Sequence, residues 1–393
     1  MASAALPPAN LEARTRRHDN LEPFSGEREP RGWKTGREEE KAVLRHPPLG
    51  RIPSPASYLP GGQKRGTKAK SMSEKSDLER IRVAAILGPT AVGKSRIAVE
   101  VALHLNAEII SVDSMQVYRG MDIGTAKPGP ELRDAVPHHM IDVADPFEDY
   151  SVARFQREAR RAVEEVVARG KVPLLVGGTG LYFESVVYDL RFPPGGEEDG
   201  LRRELERWAA EDLEGLRQRL KEVDPDFAAR EDFSNPRRVI RAMEVYLRTG
   251  VPISRFQSRR GAQAPFYPYC GVVLDAPRQA LYRAIDRRVE EMLASGLVEE
   301  VRALASAGLS RTARQALGYK EVLSHLDSGK PLGETISEIK RRSRRYAKRQ
   351  LTWFRRLPGL RWIRLEEEEL YRRPPEAWKR VLECLQEDLG GGG

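Results

Sequence analysis

Short apolar runs alternate with amphipathic stretches between residues 81 and 192, and this alternation predicts an α/β core. The apolar runs are IRVAAIL, AEIISVD and KVPLLVGGTG, whose aliphatic content is typical of buried parallel strands. Between them, SRIAVEVALHL and VARFQREARRAVEEVVARG place apolar residues at helical spacing. The order strand, helix, strand, helix, strand is that of a doubly wound parallel sheet.

The pattern changes to almost continuous helix from about residue 191. LRRELERWAAEDLEGLRQRLKEV and NPRRVIRAMEVYLRTG predict a helical insertion over 193–260. YCGVVLDA has strand character and predicts a return to the core, completed by helices, over 261–365. A last helix and a glycine tail are expected over 366–393.

Residues 1–80 show neither a helical nor an alternating apolar pattern and are rich in proline and mixed charge. Such a segment cannot bury enough apolar surface to fold, so we expect a disordered extension. Met72 stands shortly before the first predicted strand. We therefore also expect that translation can begin there and that residues 1–71 take no part in catalysis.

Charge and cysteine content narrow the class of protein. Lys and Arg number 67 against 58 Asp and Glu, and the net charge of +9 favours a phosphate-rich partner such as nucleic acid. Cys270 and Cys384 lie far apart without metal-ligand spacing, which indicates a reducing compartment, and we expect the cytoplasm. No run of 18 apolar residues occurs, so no membrane span is expected.

GPTAVGKS, residues 88–95, matches G-x-x-x-x-G-K-[ST] between a predicted strand and a predicted helix, the context of a P-loop. Its glycines let backbone N–H groups converge on phosphate oxygens at a helix N-terminus, with Lys94 neutralising phosphate and Ser95 holding Mg²⁺. The expected fold is an α/β, P-loop NTPase-like parallel sheet core with an all-helical insertion and a helical C-terminal region. The predicted phosphate-binding residues are Gly88, Pro89, Thr90, Ala91, Val92, Gly93, Lys94 and Ser95.

The P-loop alone does not identify the phosphate, but the block that follows it is more specific. DSMQVYRGMDIGTAKP, residues 113–128, resembles the corresponding block of the tRNA dimethylallyltransferase family. The resemblance extends through most of residues 83–355, in the blocks VPHHMIDVADPFEDYSVARF, LLVGGTGLY, NPRRVIRAMEVYLRTGVPIS, ALGYKE and YAKRQLTWFRR.

This resemblance implies transfer of a dimethylallyl group from dimethylallyl diphosphate to N6 of the adenine at position 37 of tRNA, 3′ to the anticodon. The P-loop would then bind the diphosphate leaving group with Mg²⁺, rather than ATP. Asp113 matches the family's general base, although a carboxylate there could instead hold Mg²⁺ through water. Lys94, Thr179 and Arg288 are the other catalytic residues implied. A capping role for Thr179 is the alternative.

The resemblance also implies where tRNA binds, and it assigns a tRNA contact to the helical insertion over 193–260. Gln116 carries both a donor and an acceptor, which suits recognition of an adenine edge. Arg237, Arg238 and Arg241 can share a helix face, although such a face is more commonly just solvated. The tRNA-binding residues implied are Asp113, Ser114, Met115, Gln116, Thr179, Arg202, Arg237, Arg238, Val239, Ile240 and Arg241. Residues 337–364, rich in basic and aromatic side chains, are a further candidate surface.

The chain departs from the family pattern at one arginine. An Arg-Ile-x-x-Arg motif is associated with the diphosphate in the family, whereas Ala284 stands here at the first position and Arg288 at the second, with Arg283 adjacent. No cysteine or histidine follows Cys384, so a C-terminal zinc finger is not expected and the shorter bacterial form is indicated. His138 and His139 lack partner ligands at metal spacing and are expected to be structural.

Three other functions remain open from the residues alone. A prenyltransferase acting on free adenine nucleotides would need neither the long insertion nor the basic C-terminal segment. A P-loop ATPase or kinase acting on RNA would cleave ATP, and a pure RNA-binding protein would not need both the P-loop and Asp113. We expect a monomer without a protein partner.

Overall fold

The computed structural model describes residues 81–193, 200–257, 264–371 and 376–390. The predicted disordered extension over 1–80 and the glycine tail lie outside these ranges. In chain order the elements are β1 (Val83–Leu87), α1 (Lys94–His104), β2 (Ala107–Ser111), α2 (Pro130–Ala135), β3 (His138–His139), α3 (Val152–Ala168), β4 (Val172–Gly177), α4 (Gly180–Val187), α5 (Gly200–Glu211), α6 (Leu213–Val223), α7 (Pro225–Ala228), α8 (Pro236–Thr249), α9 (Ile253–Gln257), β5 (Tyr269–Asp275), α10 (Arg278–Ala294), α11 (Leu297–Ser306), α12 (Tyr319–Ser328), α13 (Leu332–Phe354), β6 (Leu360–Arg364) and α14 (Ala377–Gly390).

The strands form one parallel sheet in the order β3-β2-β4-β1-β5-β6. All five residues of β1 are buried, because this strand lies in the interior of the sheet and helices cover both faces. The predicted α/β core is confirmed. The three apolar runs form β1, β2 and β4, and YCGVVLDA forms β5.

Two strands were not expected. β3 has only two residues and pairs with β2 at one edge of the sheet. β6, with the sequence LRWIR, lies at the other edge, where three of its five residues are exposed. Helices alone were predicted to close the chain, and this was wrong: an edge strand needs little apolar surface, so β6 carries no strong strand pattern.

Side chains of β1 alternate between two hydrophobic clusters, one on each face of the sheet. Ala85 and Leu87 pack on the side of α3, α4, α11 and α12. Ala84 and Ile86 pack on the side of α1 and α14. Successive side chains of a strand point to opposite faces of the sheet, so β1 contributes to the core beneath both helical layers.

Residues 200–257 are helical and bury an apolar set of their own. Its members include Leu205, Leu216, Leu220, Phe227, Val239 and Met243. Asp224 is buried among them, and its carboxylate accepts hydrogen bonds from the amides of Phe227 and Ser254, both at 3.0 Å. The predicted boundaries near 193 and 260 adjoin residues 194–199 and 258–263, which are outside the described ranges.

The carboxyl ends of β1, β2 and β4 share one edge of the sheet, and α13 crosses this edge. Gly180, at the start of α4, lies against α13, because a Cβ at this position would come within 2.2 Å of the Trp353 ring. The indole N–H of Trp353 donates to Glu184 at 3.0 Å. In the described part of the chain, no helix combines the length and apolar character needed to cross a membrane.

Candidate active site

The loop between β1 and α1 has the conformation of a P-loop. Gly88 has φ +154°, and a Cβ there would come within 2.7 Å of the Leu274 carbonyl oxygen. Gly93 has φ +88° and precedes the first turn of α1. The Lys94 ammonium donates to the Pro89 carbonyl at 2.7 Å, so it folds back over the loop.

A cavity of about 310 Å³ opens where this loop meets the ends of β2 and β4 and the helices α10 and α13. Four residues of the P-loop segment line it, namely Thr90, Ala91, Lys94 and Ser95. The other predicted site residues that line it are Asp113, Ser114, Met115, Gln116 and Arg288. The Val92 side chain is fully buried, so this residue can contact a bound phosphate only through its backbone N–H group. Residues far apart in sequence thus share one cavity at the carboxyl edge of the sheet, where the binding sites of open α/β sheets commonly lie.

Lys94, Arg288 and Asp113 act on one another electrostatically in the cavity, and Arg349 adds a further cation to its lining. Burial, together with the nearby Arg288 guanidinium, lowers the pKa of Lys94 to about 7, while Asp113 opposes the shift. Burial likewise lowers the pKa of Arg288 below its usual value, again opposed by Asp113. Two poorly solvated cations are stabilised by a bound polyanion, so the cavity suits a diphosphate.

Asp113 lies just beyond β2 and organises the segment after it. Its Oδ1 accepts hydrogen bonds from the amides of Met115 at 2.9 Å and Gln116 at 3.3 Å. An aspartate that bonds the backbone two and three residues ahead stabilises a tight turn. The turn carries residues 114–116 into the cavity wall.

Gln116 and Thr179 are both fixed by hydrogen bonds. The Ser111 hydroxyl donates to Oε1 of Gln116 at 3.0 Å. Thr179 is not among the residues that line the cavity, and its Oγ1 accepts a hydrogen bond from the amide of Ser114, which does line it, at 3.3 Å. Thr179 occupies the N-cap position of α4, but its side chain makes no capping bond, so the alternative capping role is wrong.

Sequence reasoning missed Tyr346 and Gln350, which face the cavity from α13. Burial raises the pKa of Tyr346 to about 12, so its hydroxyl stays protonated. Gln350 is buried and bonds both the P-loop and the loop after β4. Ser343, Tyr346, Gln350 and Trp353 follow one another at intervals of three or four residues, which places them on one face of α13. This neutral polar face on a basic helix could have revealed them.

The buried set of the insertion includes two residues predicted to bind tRNA. Val239 is fully buried and Ile240 is 6% exposed, so their side chains hold α8 in place and do not face a partner. Arg202 and Arg241 each donate to Oε2 of the buried Glu244 at 3.0 Å. Both arginines therefore have a structural ion-pair role, which the sequence did not indicate.

Arg237 and Arg238, by contrast, are exposed at the first turn of α8. Arg237 donates to Gln315 at 3.3 Å, and Gln315 lines the cavity. The start of α8 is thus next to the cavity entrance, whereas Arg202 and Arg241 are turned toward the interior of the insertion.

The structure shows what replaces the first arginine of the Arg-Ile-x-x-Arg motif. Ala284 is buried and Arg288 lines the cavity. Arg283 instead forms an ion pair with Glu367, at 2.6 Å, and does not replace the missing arginine.

His139 bonds the buried Glu108 at 2.7 Å, and His138 bonds the Val136 carbonyl at 2.8 Å. Burial lowers the pKa of His138, which favours its neutral form. His138 nevertheless reaches the cavity lining. Both histidines thus have protein partners in and beside the edge strand.

The oxygen donors of the cavity fit a magnesium ion. Ser95 and Asp113 both line it, and their side chains carry oxygen, the ligand that Mg²⁺ prefers. No group of three or more His, Cys, Asp or Glu able to hold a metal occurs among the described residues. Mg²⁺ often takes only one or two protein ligands beside phosphate oxygens, so this small donor set is sufficient.

Comparisons with known proteins agree with this site. Residues 81–136 match the family model described as isopentenyl transferase, and residues 116–357 match the one described as IPP transferase. The chain is 47% identical over 293 residues to a tRNA dimethylallyltransferase of Geobacillus thermodenitrificans, covering 74% of this chain and 92% of that protein. It is 50% identical over 295 residues to one of Moorella thermoacetica, covering 73% and 91%.

Solved structures give the same result. A tRNA isopentenylpyrophosphate transferase of Bacillus halodurans superposes with a TM-score of 0.56 at 40% identity, covering 79% of this chain and 99% of that one. A eukaryotic dimethylallyltransferase acting on tRNA superposes with a TM-score of 0.66 at 28% identity, covering 79% and 80%. The chain therefore belongs to the IPP transferase family, and its similarity to proteins named tRNA dimethylallyltransferase confirms the predicted resemblance.

Proposed function

We propose that this protein transfers a dimethylallyl group from dimethylallyl diphosphate to N6 of the adenine at position 37 of tRNA, releasing diphosphate. The observation that carries the proposal is the single cavity in which Lys94 and Arg288 lie beside Asp113 and Gln116. The first pair suits an anionic leaving group, and the second pair suits an adenine amine. The named relatives perform this class of transfer.

The cations would act on the donor. As the allylic C–O bond breaks, negative charge grows on the diphosphate, and prearranged donors stabilise it where it develops. Lys94, Arg288 and the P-loop amides would be those donors. Ser95 would hold Mg²⁺ together with diphosphate oxygens, and the ion would add Lewis-acid neutralisation of the leaving group.

Asp113 and Gln116 would act on the acceptor. The N6 nitrogen forms the new bond to the allylic carbon and loses a proton, which Asp113 would accept. Gln116 would recognise the adenine edge with its amide. Thr179, through its bond to the Ser114 amide, would support the wall between the two substrates. Holding both substrates in this geometry is a large part of catalysis.

The rest of the tRNA would lie across the start of α8 and the basic face of α13. Arg237 and Arg238 are exposed there, and Arg345, Lys348 and Arg349 are exposed on α13. We also propose that the protein acts as a monomer. We place it in the cytoplasm, where tRNA is available and its two thiols stay reduced.

A transfer assay tests the proposal. The protein is mixed with Mg²⁺, labelled dimethylallyl diphosphate and tRNA lacking the modification, and ATP hydrolysis is followed in parallel. We expect label at the adenine 3′ to the anticodon and intact ATP. Label only on added AMP would indicate a nucleotide prenyltransferase. ATP cleavage without transfer would make the P-loop a triphosphate site.

A further inference from the structure

A carboxylate from α11 binds the loop that follows the cavity wall, residues 121–128. The amides of Asp122, Ile123 and Gly124 donate to the Glu300 carboxylate at 3.0, 2.7 and 3.0 Å. The Tyr319 hydroxyl donates to Oε1 of the same carboxylate at 2.5 Å. Four donors thus converge on one side chain 176 or more residues away from the loop. Such charge-assisted bonds are about twice as strong as neutral ones.

Packing at Gly124 matches this bonding. A Cβ at Gly124 would come within 2.4 Å of the Tyr319 ring and 2.9 Å of Leu297, so only glycine lets the loop lie on α11 and α12. Tyr319 is fully buried. Burial, the bond to Glu300 and its charge all raise the pKa of Tyr319, so the hydroxyl remains a donor.

The same loop holds Gln116. The Gln116 side-chain amide donates to the carbonyls of Thr125 and Ala126, both at 3.4 Å. With Ser111 donating to Oε1, the carboxamide has one favoured orientation. Gly124, Thr125 and Ala126 also line the cavity themselves. The loop therefore determines how Gln116 faces the cavity.

We propose that Glu300, with Tyr319, is a positioning residue that fixes residues 122–126 and thereby the carboxamide of Gln116 for recognition of the acceptor base. The role rests on the proposed function, because it acts through the acceptor side of the reaction. The donor side is held by other elements, namely the P-loop, α10 with Arg288, and α13. Loss of Glu300 thus impairs use of tRNA while leaving binding of dimethylallyl diphosphate intact.

Glu300→Gln tests this directly. A glutamine retains one acceptor oxygen but presents an NH₂ group to the remaining N–H or O–H donors, so the loop loses part of its support. We expect kcat/KM for tRNA to fall about tenfold, with Kd for dimethylallyl diphosphate unchanged within about twofold. Amide hydrogen exchange at residues 122–124 should become faster. Glu299→Gln, an exposed neighbour on α11, is the matched control and should behave as wild type.

A double-mutant cycle with Gln116→Ala shows whether Glu300 acts through Gln116. We expect Glu300→Gln to add little to the defect of Gln116→Ala, because residues that act in series are not additive. If the losses in kcat/KM of the two single variants multiplied in full in the double variant, the inference would be overturned. Faster amide exchange at 122–124 in Glu300→Gln without a change in tRNA kinetics would overturn it as well.

Should Glu300→Gln fail to fold, Tyr319→Phe removes only one of the four donors and should give a smaller defect of the same kind. A Tyr319→Phe variant with wild-type tRNA kinetics and wild-type exchange would then overturn the inference. Wild-type protein that modifies no tRNA would instead overturn the proposed function, and with it the role of Gln116. Active wild-type protein with unaffected variants overturns this inference alone.

Discussion

Oε1 of Gln350 accepts a hydrogen bond from the Thr90 amide at 2.9 Å, which joins α13 to the P-loop across 260 residues of sequence. The other end of the same side chain, Nε2, donates to the Gly178 carbonyl at 2.9 Å. A Cβ at Gly178 would come within 2.2 Å of that nitrogen, so the glycine makes room for the contact. One buried carboxamide thus holds together the loops after β1 and β4.

Gln350→Ala should weaken the donor site. It leaves the Thr90 amide and the Gly178 carbonyl without this partner, at a cost of about 1–3 kcal/mol per buried group that stays unpaired. We expect Kd for dimethylallyl diphosphate to rise about tenfold, together with a lower melting temperature. Isothermal titration and thermal unfolding measure the two effects.

Thr352→Ala is the matched control for this variant, because Thr352 is exposed on the same helix and bonds only within it. It should leave both measurements close to wild type. Wild-type donor affinity in Gln350→Ala would show that the P-loop holds its shape without α13.

Asp113→Asn separates proton transfer from local structure. Asparagine keeps an oxygen for the amides of Met115 and Gln116, so the turn should persist. A general base contributes about 10²–10⁴-fold to rate, and kcat should fall within that range while Kd for tRNA changes by less than about threefold. Single-turnover kinetics and tRNA binding measure these quantities.

The competing role for Asp113 is binding of Mg²⁺ through water. Recovery of kcat in Asp113→Asn at raised Mg²⁺ would assign the carboxylate to the metal. A variant that loses tRNA affinity and keeps its kcat would make Asp113 a binding residue.

The sequence predicted those parts of the site that depend on contiguous residues. The P-loop and the turn at Asp113 each follow a buried strand, and parallel strands bring their carboxyl ends to one edge. Lys94, Asp113 and Gln116 therefore line the same cavity. Arg288 was placed there only by resemblance, since a cation on an amphipathic helix has no distinctive pattern.

Long-range contacts account for what was missed. Gln350 and Glu300 accept hydrogen bonds from backbone amides. Every residue except proline has such an amide, so the sequence does not indicate which one a distant side chain will bind. The same holds for Arg202 and Arg241, whose common partner Glu244 is buried in a segment that looks like an ordinary charged helix. The short edge strand β6 was not predicted, because its pairing with β5, and not its own composition, makes it a strand.

Arg238→Gln tests the start of α8 as a phosphate contact. Neutralising one cation that meets a tRNA phosphate should reduce the slope of log Kd against log salt by about 1 and weaken binding at low salt. Filter binding of unmodified tRNA across a salt series gives the slope. Donor affinity should stay unchanged.

Arg219→Gln is the comparison for Arg238→Gln, since Arg219 is exposed on α6 of the same insertion and is not one of the residues predicted to bind tRNA. Its salt slope should equal that of the wild type. Equal slopes for all three proteins would make the exposed face of α8 a solvated surface only.

The pH dependence of donor binding should follow Lys94. Its pKa in the free protein is lowered to about 7, so the ammonium is present below that pH and is lost as pH rises. A bound diphosphate stabilises the ammonium and raises this pKa in the complex. The affinity for dimethylallyl diphosphate should therefore decrease between about pH 7 and pH 9, by at most about tenfold per pH unit. Titration calorimetry at several pH values measures this.

Lys94→Arg provides the control, because a guanidinium does not lose its proton in this range. The variant should bind the donor with little dependence on pH, whatever its absolute affinity. If the wild-type affinity were equally flat, Lys94 would keep one protonation state in the free protein and in the complex. A pH dependence that persists in Lys94→Arg would belong to another group, such as the diphosphate itself.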